Sequence, residues 1–154
     1  MIDVRRASAA DAATLAAHRA AVWIEVGDWT EDAMRAQRPV WTQWIGEAIV
    51  AGDLCAWIAE DDGRIAGSGT LLLQRGFPRP GNAVDREGRV HGVYVVPKLR
   101  KRGIARAIME ELLAEARALR LIRLSLHPSD EARPLYTSLG FEPRDELGLH
   151  ITGT

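Results

Sequence analysis

The residues with the clearest chemical signal lie in one short segment, 98–106, which contains five basic residues and no acidic one. The basic residues are Lys98, Arg100, Lys101, Arg102 and Arg106. The segment leads into a predicted helix, whose first turn presents unpaired amide hydrogens in a positive dipole field. Cations there oppose the dipole, so the arrangement favours a bound anion. Because Gly103 and Ala105 allow close approach to the backbone, the segment predicts a pyrophosphate site.

A solvated basic turn and a nucleic-acid contact are the two alternatives for this segment. Its spacing lacks the glycine patterns of common nucleotide loops, G-x-x-x-x-G-K-[ST] and G-x-G-x-x-G. The chain has 20 Lys and Arg against 21 Asp and Glu, giving a net charge of −1, and it has no other basic run. The charge pattern therefore does not favour nucleic acid, and we predict no nucleic-acid partner.

A second segment, Leu135-Tyr136-Thr137-Ser138-Leu139-Gly140-Phe141, follows about 30 residues later. Together with the pattern Arg-x-x-Gly-x-Ala at Arg100, Gly103 and Ala105, it resembles the GNAT family of acyl-CoA-dependent N-acyltransferases. The two motifs stand in the family's order with a predicted strand between them. The resemblance extends over about residues 3–150.

The resemblance implies acetyl-CoA as co-substrate and assigns its pyrophosphate to one backbone segment. The residues of that segment are Arg100, Lys101, Arg102, Gly103, Ile104 and Ala105. Lys101 stands where the family commonly has glycine, and its side chain is expected to point outward. In the preceding strand, the Val95 backbone would pair with the pantetheine arm. The Val93 amide would point at the thioester carbonyl, where such a donor stabilises an oxyanion.

Two further residues match cofactor-contacting positions of the family. Tyr136 corresponds to the tyrosine that protonates the departing thiolate, a role open to a phenol within hydrogen-bond reach of sulfur. The alternative is a ring packed in the core with its hydroxyl at the surface. Ser129 replaces a frequent asparagine that contacts the cofactor. It is also an N-cap candidate for a helix beginning at Asp130, and we favour the cap.

The general base has three candidates, Glu25, His91 and His127, acting directly or through water. Glu25 ends the first predicted helix, where this fold lines the acceptor site. His91 lies on the strand beside the expected thioester, and an unperturbed imidazole titrates in a suitable range. We rank Glu25 and His91 together, while the remaining histidines, His18 and His150, are predicted to be surface residues.

These assignments predict an N-acetyltransferase that acts on a primary amine of a small molecule or peptide by direct attack in a ternary complex. The alternative is a catalytically weak GNAT-fold protein that binds or senses acyl-CoA. Gly92 favours this alternative slightly, because similar proteins often have a polar residue there. Trp23 and Trp29 flank the expected acceptor entrance. They form either an aromatic wall that contacts the acceptor or a packing contact that joins two helices.

The elements that must position these residues form one mixed α/β domain, residues 1–154. Strands are predicted at Ile2–Arg6, Leu54–Glu60, Ile65–Gln74, Arg89–Val96, Leu121–Leu126 and from Phe141 onward. Helices are predicted from a Ser8–Asp11 capping box to Gly27, from Glu31 to Gly52 with a break at Pro39, from Gly103 to Leu119, and from Asp130 to Leu139. The GNAT fold implies a central, mostly antiparallel mixed sheet of 6–7 strands, splayed between the fourth and fifth, with about four helices.

Composition excludes several classes of protein. Of the 154 residues, 47% are hydrophobic and only Cys55 is a cysteine, so an intramolecular disulfide and a cysteine-clustered metal site are ruled out. We predict no metal, and we do not expect Cys55, in a buried strand, to carry an acyl group.

No apolar run approaches the roughly 20 residues that span a bilayer. An acidic residue at Asp3 argues against a secretory signal. The predicted location is the cytoplasm, and homodimers are common among similar proteins.

Overall fold

Four strands pair antiparallel in chain order and form most of the sheet. In the computed structural model, which describes residues 1–152, these are β1 (Ile2–Arg6), β2 (Leu54–Asp61), β3 (Arg64–Arg75) and β4 (Arg86–Val95). The last strand, β5 (Leu124–Ser125), pairs parallel with β4. The mostly antiparallel mixed sheet is confirmed, with five strands within the described residues instead of six or seven.

The predicted strand from Phe141 onward is wrong, because residues 141–152 contain no regular secondary structure. The strand before it is shorter than predicted, since Leu121–Leu126 reduces to two residues. So short an edge offers few backbone groups for a further strand to pair with. Leu147, Leu149 and Ile151 accordingly lie exposed in this segment.

Two helices cover each face of the sheet, which confirms the predicted four. On one face lie α1 (Ala12–Glu25) and α2 (Glu31–Ala51), packed against side chains of β2. On the other lie α3 (Ile104–Ala118) and α4 (Arg133–Ser138). The capping box predicted at Ser8 and Asp11 forms, and it begins a 3-10 turn that leads into α1.

The predicted break at Pro39 does not occur, since α2 runs through it without interruption. A proline removes the amide that would bond the carbonyl four residues earlier, here that of Arg35. Both Arg35 and Pro39 lie on the exposed side of the helix, so water can satisfy that carbonyl. One turn later the Thr42 hydroxyl donates to the Arg38 carbonyl at 2.8 Å.

Close packing of α3 on β3 places the start of this helix beside the end of β4. Ile108 of α3 is fully buried, and a Cβ added at Gly69 would lie 2.6 Å from its Cγ2. The helix can approach the sheet this closely because Gly69 has no side chain. The buried apolar face of α3 is Ile104, Ile108, Met109, Leu112 and Ala116.

The connection between β3 and β4 is shorter than predicted, because β4 begins at Arg86 rather than Arg89. Within residues 76–85, Gly76 N–H donates to the Asp85 carbonyl at 2.7 Å, and an isolated bridge joins Arg79 to Asn82. Among residues 1–152, no helix combines the length and the apolar character needed to cross a membrane.

Candidate active site

A β-bulge in β4 reorients the backbone at the centre of the site. The β3–β4 register pairs Thr70 with His91 but Ser68 with Tyr94, so β4 has one extra residue here. Gly92 lies in the left-handed region with φ of +61°. Glycine adopts this conformation without steric penalty, which is why an extra residue fits at this position. A glycine inside a strand pattern is a sequence signal for such a bulge.

Beyond the bulge, the Val93 and Val95 amides face away from β3. Val96 donates its N–H to the Ala66 carbonyl at 2.8 Å, which sets the direction of the backbone at that residue. Because backbone groups alternate along a strand, Val95 and Val93 direct their N–H groups to the opposite side. The only β4–β5 register pairs among the described residues are Gly88–Leu124 and Arg89–Ser125. The predicted splay between the fourth and fifth strands is thereby confirmed, and both amides border the gap.

The turn after β4 ends in a helix start that no side chain caps. A 3-10 turn at Pro97–Leu99 leads to Lys101 with φ of +63° and Gly103 with φ of +80°, and α3 begins at Ile104. The first backbone bond of the helix runs from Ala107 N–H to Gly103 at 3.0 Å. The amide hydrogens before Ala107 therefore point out of the helix start toward any ligand. Lys101 has an exposed side chain, as predicted, and its left-handed backbone explains why a glycine suits this position.

Most of the basic side chains of this turn bond within the chain. Arg100 Nη2 lies 2.7 Å from Glu25 Oε1, Arg102 Nη1 lies 3.4 Å from Asp61 Oδ2, and Arg106 Nη2 lies 2.6 Å from Ser138 Oγ. The sequence pattern therefore overstates the free positive charge at this turn. The donors best placed for an anion are the backbone amides.

Arg100 connects three parts of the site. Its Nε donates to the Val95 carbonyl at 3.0 Å, and its Nη2 bonds Glu25 at the end of α1. Its guanidinium also lies over the Tyr94 ring, 5.7 Å from the centroid. The structure thus places Glu25 beside the open edge of β4, in an ion pair that the sequence did not indicate.

His18 lies between α1 and the sheet, so its prediction as a surface residue is wrong. Its Nδ1 lies 2.7 Å from the hydroxyl of Ser68, which is almost fully buried, and its ring is 4.8 Å from that of Tyr94. Burial lowers the pKa of His18. Helical spacing from Leu15 and Val22 places His18 on the inward face, a signal that could have found it.

His91 points toward the same α1 side of the sheet. Its neighbour Val90 belongs to the core on the α3 side, and adjacent strand residues face opposite ways. Burial, reinforced by the positive charges of Arg19 and Arg89, lowers the pKa of His91 to about 4. The imidazole is therefore neutral near pH 7. Of the other two candidates for the general base, Glu25 lies beside the end of β4, where it pairs with Arg100, whereas His127 is exposed just after β5.

The depressed pKa of His91 predicts a loss of stability in mild acid. The unfolded chain takes up a proton at His91 as the pH falls through 6.5, while the folded chain resists until about 4. Stability therefore decreases as the pH falls through this window. Between about pH 7 and pH 5, the unfolding free energy of the wild type should fall by about 1 kcal/mol more than that of His91→Gln. Urea denaturation at the two pH values measures both decreases. His150→Gln, at an exposed position, is the matched control, and equal losses in all three proteins would contradict the assignment.

Tyr136 on α4 has a buried ring and a hydroxyl that solvent reaches. The ring packs edge-on against Phe141 at 5.9 Å, in the same cluster as Val93 and Val95. Within residues 1–152, no side-chain polar atom is buried without a partner, and the Tyr136 hydroxyl has no protein partner, so it contacts solvent. Burial raises the pKa of Tyr136, which keeps the phenol protonated at neutral pH.

The other residues considered in the sequence analysis are Ser129, Cys55 and the pair Trp23 and Trp29. The predicted cap at Ser129 of a helix beginning at Asp130 is wrong, because α4 begins only at Arg133 and no side chain caps it. Ser129 Oγ instead accepts from Ala132 N–H at 3.2 Å within the turn that leads into α4. Cys55 is buried in β2, as predicted, and burial raises the pKa of its thiol. Trp23 and Trp29 contact each other, with ring centroids 6.3 Å apart. Residues 1–152 contain no group of three or more His, Cys, Asp or Glu that could hold a metal ion.

Comparison with known proteins agrees with this geometry. The family model that matches the chain describes the acetyltransferase (GNAT) family and covers residues 18–141. A curated protein of Trypanosoma brucei brucei, named glucosamine 6-phosphate N-acetyltransferase, is 34% identical over 83 residues. That match includes 54% of this chain and 54% of the relative, so the chain spans about half the length of the curated relative it matches.

Two solved structures resemble the whole chain. One is a GCN5-related N-acetyltransferase from Ralstonia eutropha JMP134, with a TM-score of 0.88 and 25% identity, covering 99% of this chain and 100% of that one. The other is a predicted acetyltransferase with acetyl-CoA from Clostridium acetobutylicum, with a TM-score of 0.86 and 26% identity, covering 98% of this chain and 97% of that one.

Proposed function

Because this chain belongs to the GNAT acetyltransferase family, we propose that it transfers the acetyl group of acetyl-CoA to a primary amine of a small molecule or peptide. The proposal rests on one observation: the unpaired edge of β4 lies beside the uncapped start of α3. The names of the trypanosomal relative and of the clostridial structure support N-acetylation and acetyl-CoA. Cytoplasmic location and pairing into a homodimer remain predictions from the sequence.

The backbone of β4 and α3 would hold the cofactor. The Val95 N–H and C=O face the gap, although the carbonyl also accepts from Arg100, so the amide is the freer group for the pantetheine arm. The amides from Arg100 to Ala105 surround the uncapped helix start, where the dipole and the N–H groups of the first turn favour a pyrophosphate. Among them, Arg100 N–H also donates to the Pro97 carbonyl, at 3.4 Å. Backbone donors suit this task because they are already oriented before the cofactor binds.

The Val93 amide would act on the reacting carbonyl. The amine nitrogen attacks the thioester carbon, and its electron pair forms the new C–N bond while the carbonyl oxygen becomes an oxyanion. A preorganised N–H donor stabilises that charge where it develops. When the tetrahedral intermediate collapses, the C–S bond breaks and the sulfur leaves as a thiolate. Tyr136 would supply the proton that converts this thiolate to free CoA.

The attacking amine must lose a proton, and Glu25 and His91 remain the candidates to take it. Glu25 Oε1 already accepts from Arg100, which holds the carboxylate at the edge of β4. His91 is neutral and can accept a proton, but its pKa of about 4 makes it a weak base. We propose that a water molecule near these two side chains relays the proton away from the amine.

Binding of acetyl-CoA is the first test of the proposal. A ligand present at a hundred times its Kd stabilises the folded state by about 2.7 kcal/mol. For a chain of this size, that is a rise in Tm of roughly 5–10 °C. We expect this rise with acetyl-CoA, measured by differential scanning fluorimetry. No rise at saturating acetyl-CoA would contradict the cofactor assignment.

Turnover then separates the two functional hypotheses. Amine-dependent release of free CoA thiol from acetyl-CoA is expected of a transferase. The alternative, a protein that binds or senses acyl-CoA, would be stabilised by acetyl-CoA without releasing thiol for any amine in a panel of amino acids, amino sugars, polyamines and peptide N-termini.

A further inference from the structure

Arg19 is a half-buried cation for which residues 1–152 provide no carboxylate partner. It lies on α1 with its guanidinium over two indole rings, 5.6 Å from the Trp23 centroid and 5.1 Å from that of Trp41. Burial lowers the pKa of Arg19, and no acidic neighbour opposes that effect. Aromatic faces stabilise a cation but leave its N–H donors unpaired. The side chain is therefore held in place with hydrogen-bonding capacity to spare.

A second arginine faces the same space from β4. Arg89 and His91 are two residues apart on one strand and share the face that looks toward α1. Arg19 and Arg89 are both close enough to His91 for their charges to lower its pKa, and no carboxylate acts on it in the opposite direction. The polar contact of Arg89 is with a neutral group, the Ser125 hydroxyl at 3.3 Å.

The nearest acidic side chains on these elements are engaged elsewhere. Glu25, at the end of α1, pairs with Arg100 at 2.7 Å. Glu87, which shares the β4 face with Arg89, pairs with Arg123 at 3.2 Å. The face of β4 that α1 covers, with the adjoining side of α1, thus carries two guanidinium groups and a neutral imidazole without an adjacent carboxylate partner. A half-buried positive charge such as that of Arg19 is unfavourable until an anion enters.

We propose that the amine acceptor of this enzyme carries an anionic group, phosphate or carboxylate, which Arg19 and Arg89 bind between α1 and β4. The proposal rests on the proposed function, since it places the acceptor beside the amide of Val93. At about 3.3 Å per residue, Arg89 lies roughly 13 Å along the strand from Val93, with His91 about halfway. A long arginine side chain can cover about half of that span, which leaves room for a small molecule whose amine and anion are a few bonds apart. Guanidinium groups suit both anions because they donate two parallel hydrogen bonds.

The proposal is tested by measuring how matched amines bind to the protein saturated with CoA. CoA has no acetyl group, so no turnover occurs, and it occupies the pyrophosphate turn. The probes share one aminoethyl arm and differ only in the group that follows: 2-aminoethyl phosphate, β-alanine and ethanolamine. Glucosamine 6-phosphate and glucosamine form a second pair of larger size. We expect calorimetric titration to show at least one anionic member binding about ten- to a hundredfold more tightly than its neutral counterpart. The phosphate and carboxylate arms identify which anion is preferred.

Variants assign the preference to the two arginines. Arg19→Gln and Arg89→Gln should each remove most of the difference between anionic and neutral amines. Arg6→Gln is the matched control, because Arg6 also stacks on a tryptophan, 4.9 Å from the Trp57 centroid, but it pairs with Glu115 on α3. Equal affinity for anionic and neutral amines, or an anion preference that survives both substitutions, would overturn the proposal. Failure of the wild-type protein to bind CoA would instead overturn the proposed function.

Discussion

Replacing Tyr136 by phenylalanine should lower kcat by about 10²–10⁴-fold while leaving the Kd for acetyl-CoA nearly unchanged. The Tyr136 ring packs against Phe141 in the core, and phenylalanine preserves that packing. Only the hydroxyl is lost, which has no protein partner within residues 1–152 and faces solvent. Because burial raises the pKa of Tyr136, the phenol remains a proton donor at neutral pH. The expected change therefore concerns proton transfer to sulfur rather than folding.

Thiol release with saturating acceptor and a separate titration of acetyl-CoA would measure these two quantities. The chain contains one other tyrosine, Tyr94, which provides a matched substitution. Its ring contacts His18 and Arg100, and Tyr94→Phe keeps the ring while removing the hydroxyl. We expect a far smaller loss of kcat from this change. If Tyr136→Phe retained wild-type kcat, the thiolate would have to leave without a proton from this residue.

The features predicted correctly from the sequence are those encoded by neighbouring residues. The Ser8–Asp11 capping box and the turn leading to Gly103 each depend on a few consecutive positions. An Asp-Gly pair between two strands likewise favours a hairpin turn, and the structure has one at Asp62-Gly63, with φ of +49° and +80°. Local backbone preferences and side-chain caps act over these distances, so a single sequence is enough to identify them.

The features that sequence reasoning missed depend on residues far apart in the chain. The Arg100–Glu25 pair joins residues 75 positions apart. His18 meets Ser68 and Tyr94 only because α1 packs across β3 and β4. Counting charges along the chain cannot show that most of the arginines in the basic turn already have partners. The prediction of a pyrophosphate site therefore rests on the backbone amides, to which the sequence analysis assigned it, and not on free arginine charge.

Two of the wrong secondary-structure predictions, at Pro39 and after Phe141, have different physical causes. At Pro39, the proline rule overlooked that a single lost hydrogen bond on an exposed helix face can be replaced by water. After Phe141, the prediction of a final strand overlooked that a strand also needs a partner edge. The two-residue β5 provides too little of one. Solvent exposure allows the helix to continue through Pro39, and the lack of a partner edge leaves the segment after Phe141 without a strand.

Gly103→Ala should raise the Kd for acetyl-CoA by about 10–100-fold, the loss expected when charge-assisted hydrogen bonds are disrupted. Gly103 has φ of +80° at the start of α3, and open space surrounds the position where a Cβ would lie. A methyl group there strains the left-handed backbone and occupies space next to the first-turn amides. Both effects move or cover the donors that we assign to the pyrophosphate.

Gly52 offers a control with nearly the same backbone conformation. It has φ of +79° and ψ of 14°, against φ of 80° and ψ of 9° at Gly103, and a Cβ would again meet nothing within 4 Å. Alanine at either position should therefore cost a similar amount of stability, about 1–2 kcal/mol. Only Gly103→Ala should weaken acetyl-CoA binding in calorimetric titration, because Gly52 ends α2, far along the chain from the cofactor turn. If both variants lost the same affinity, backbone strain rather than contact with the cofactor would be the cause, and the assignment of the turn would fail.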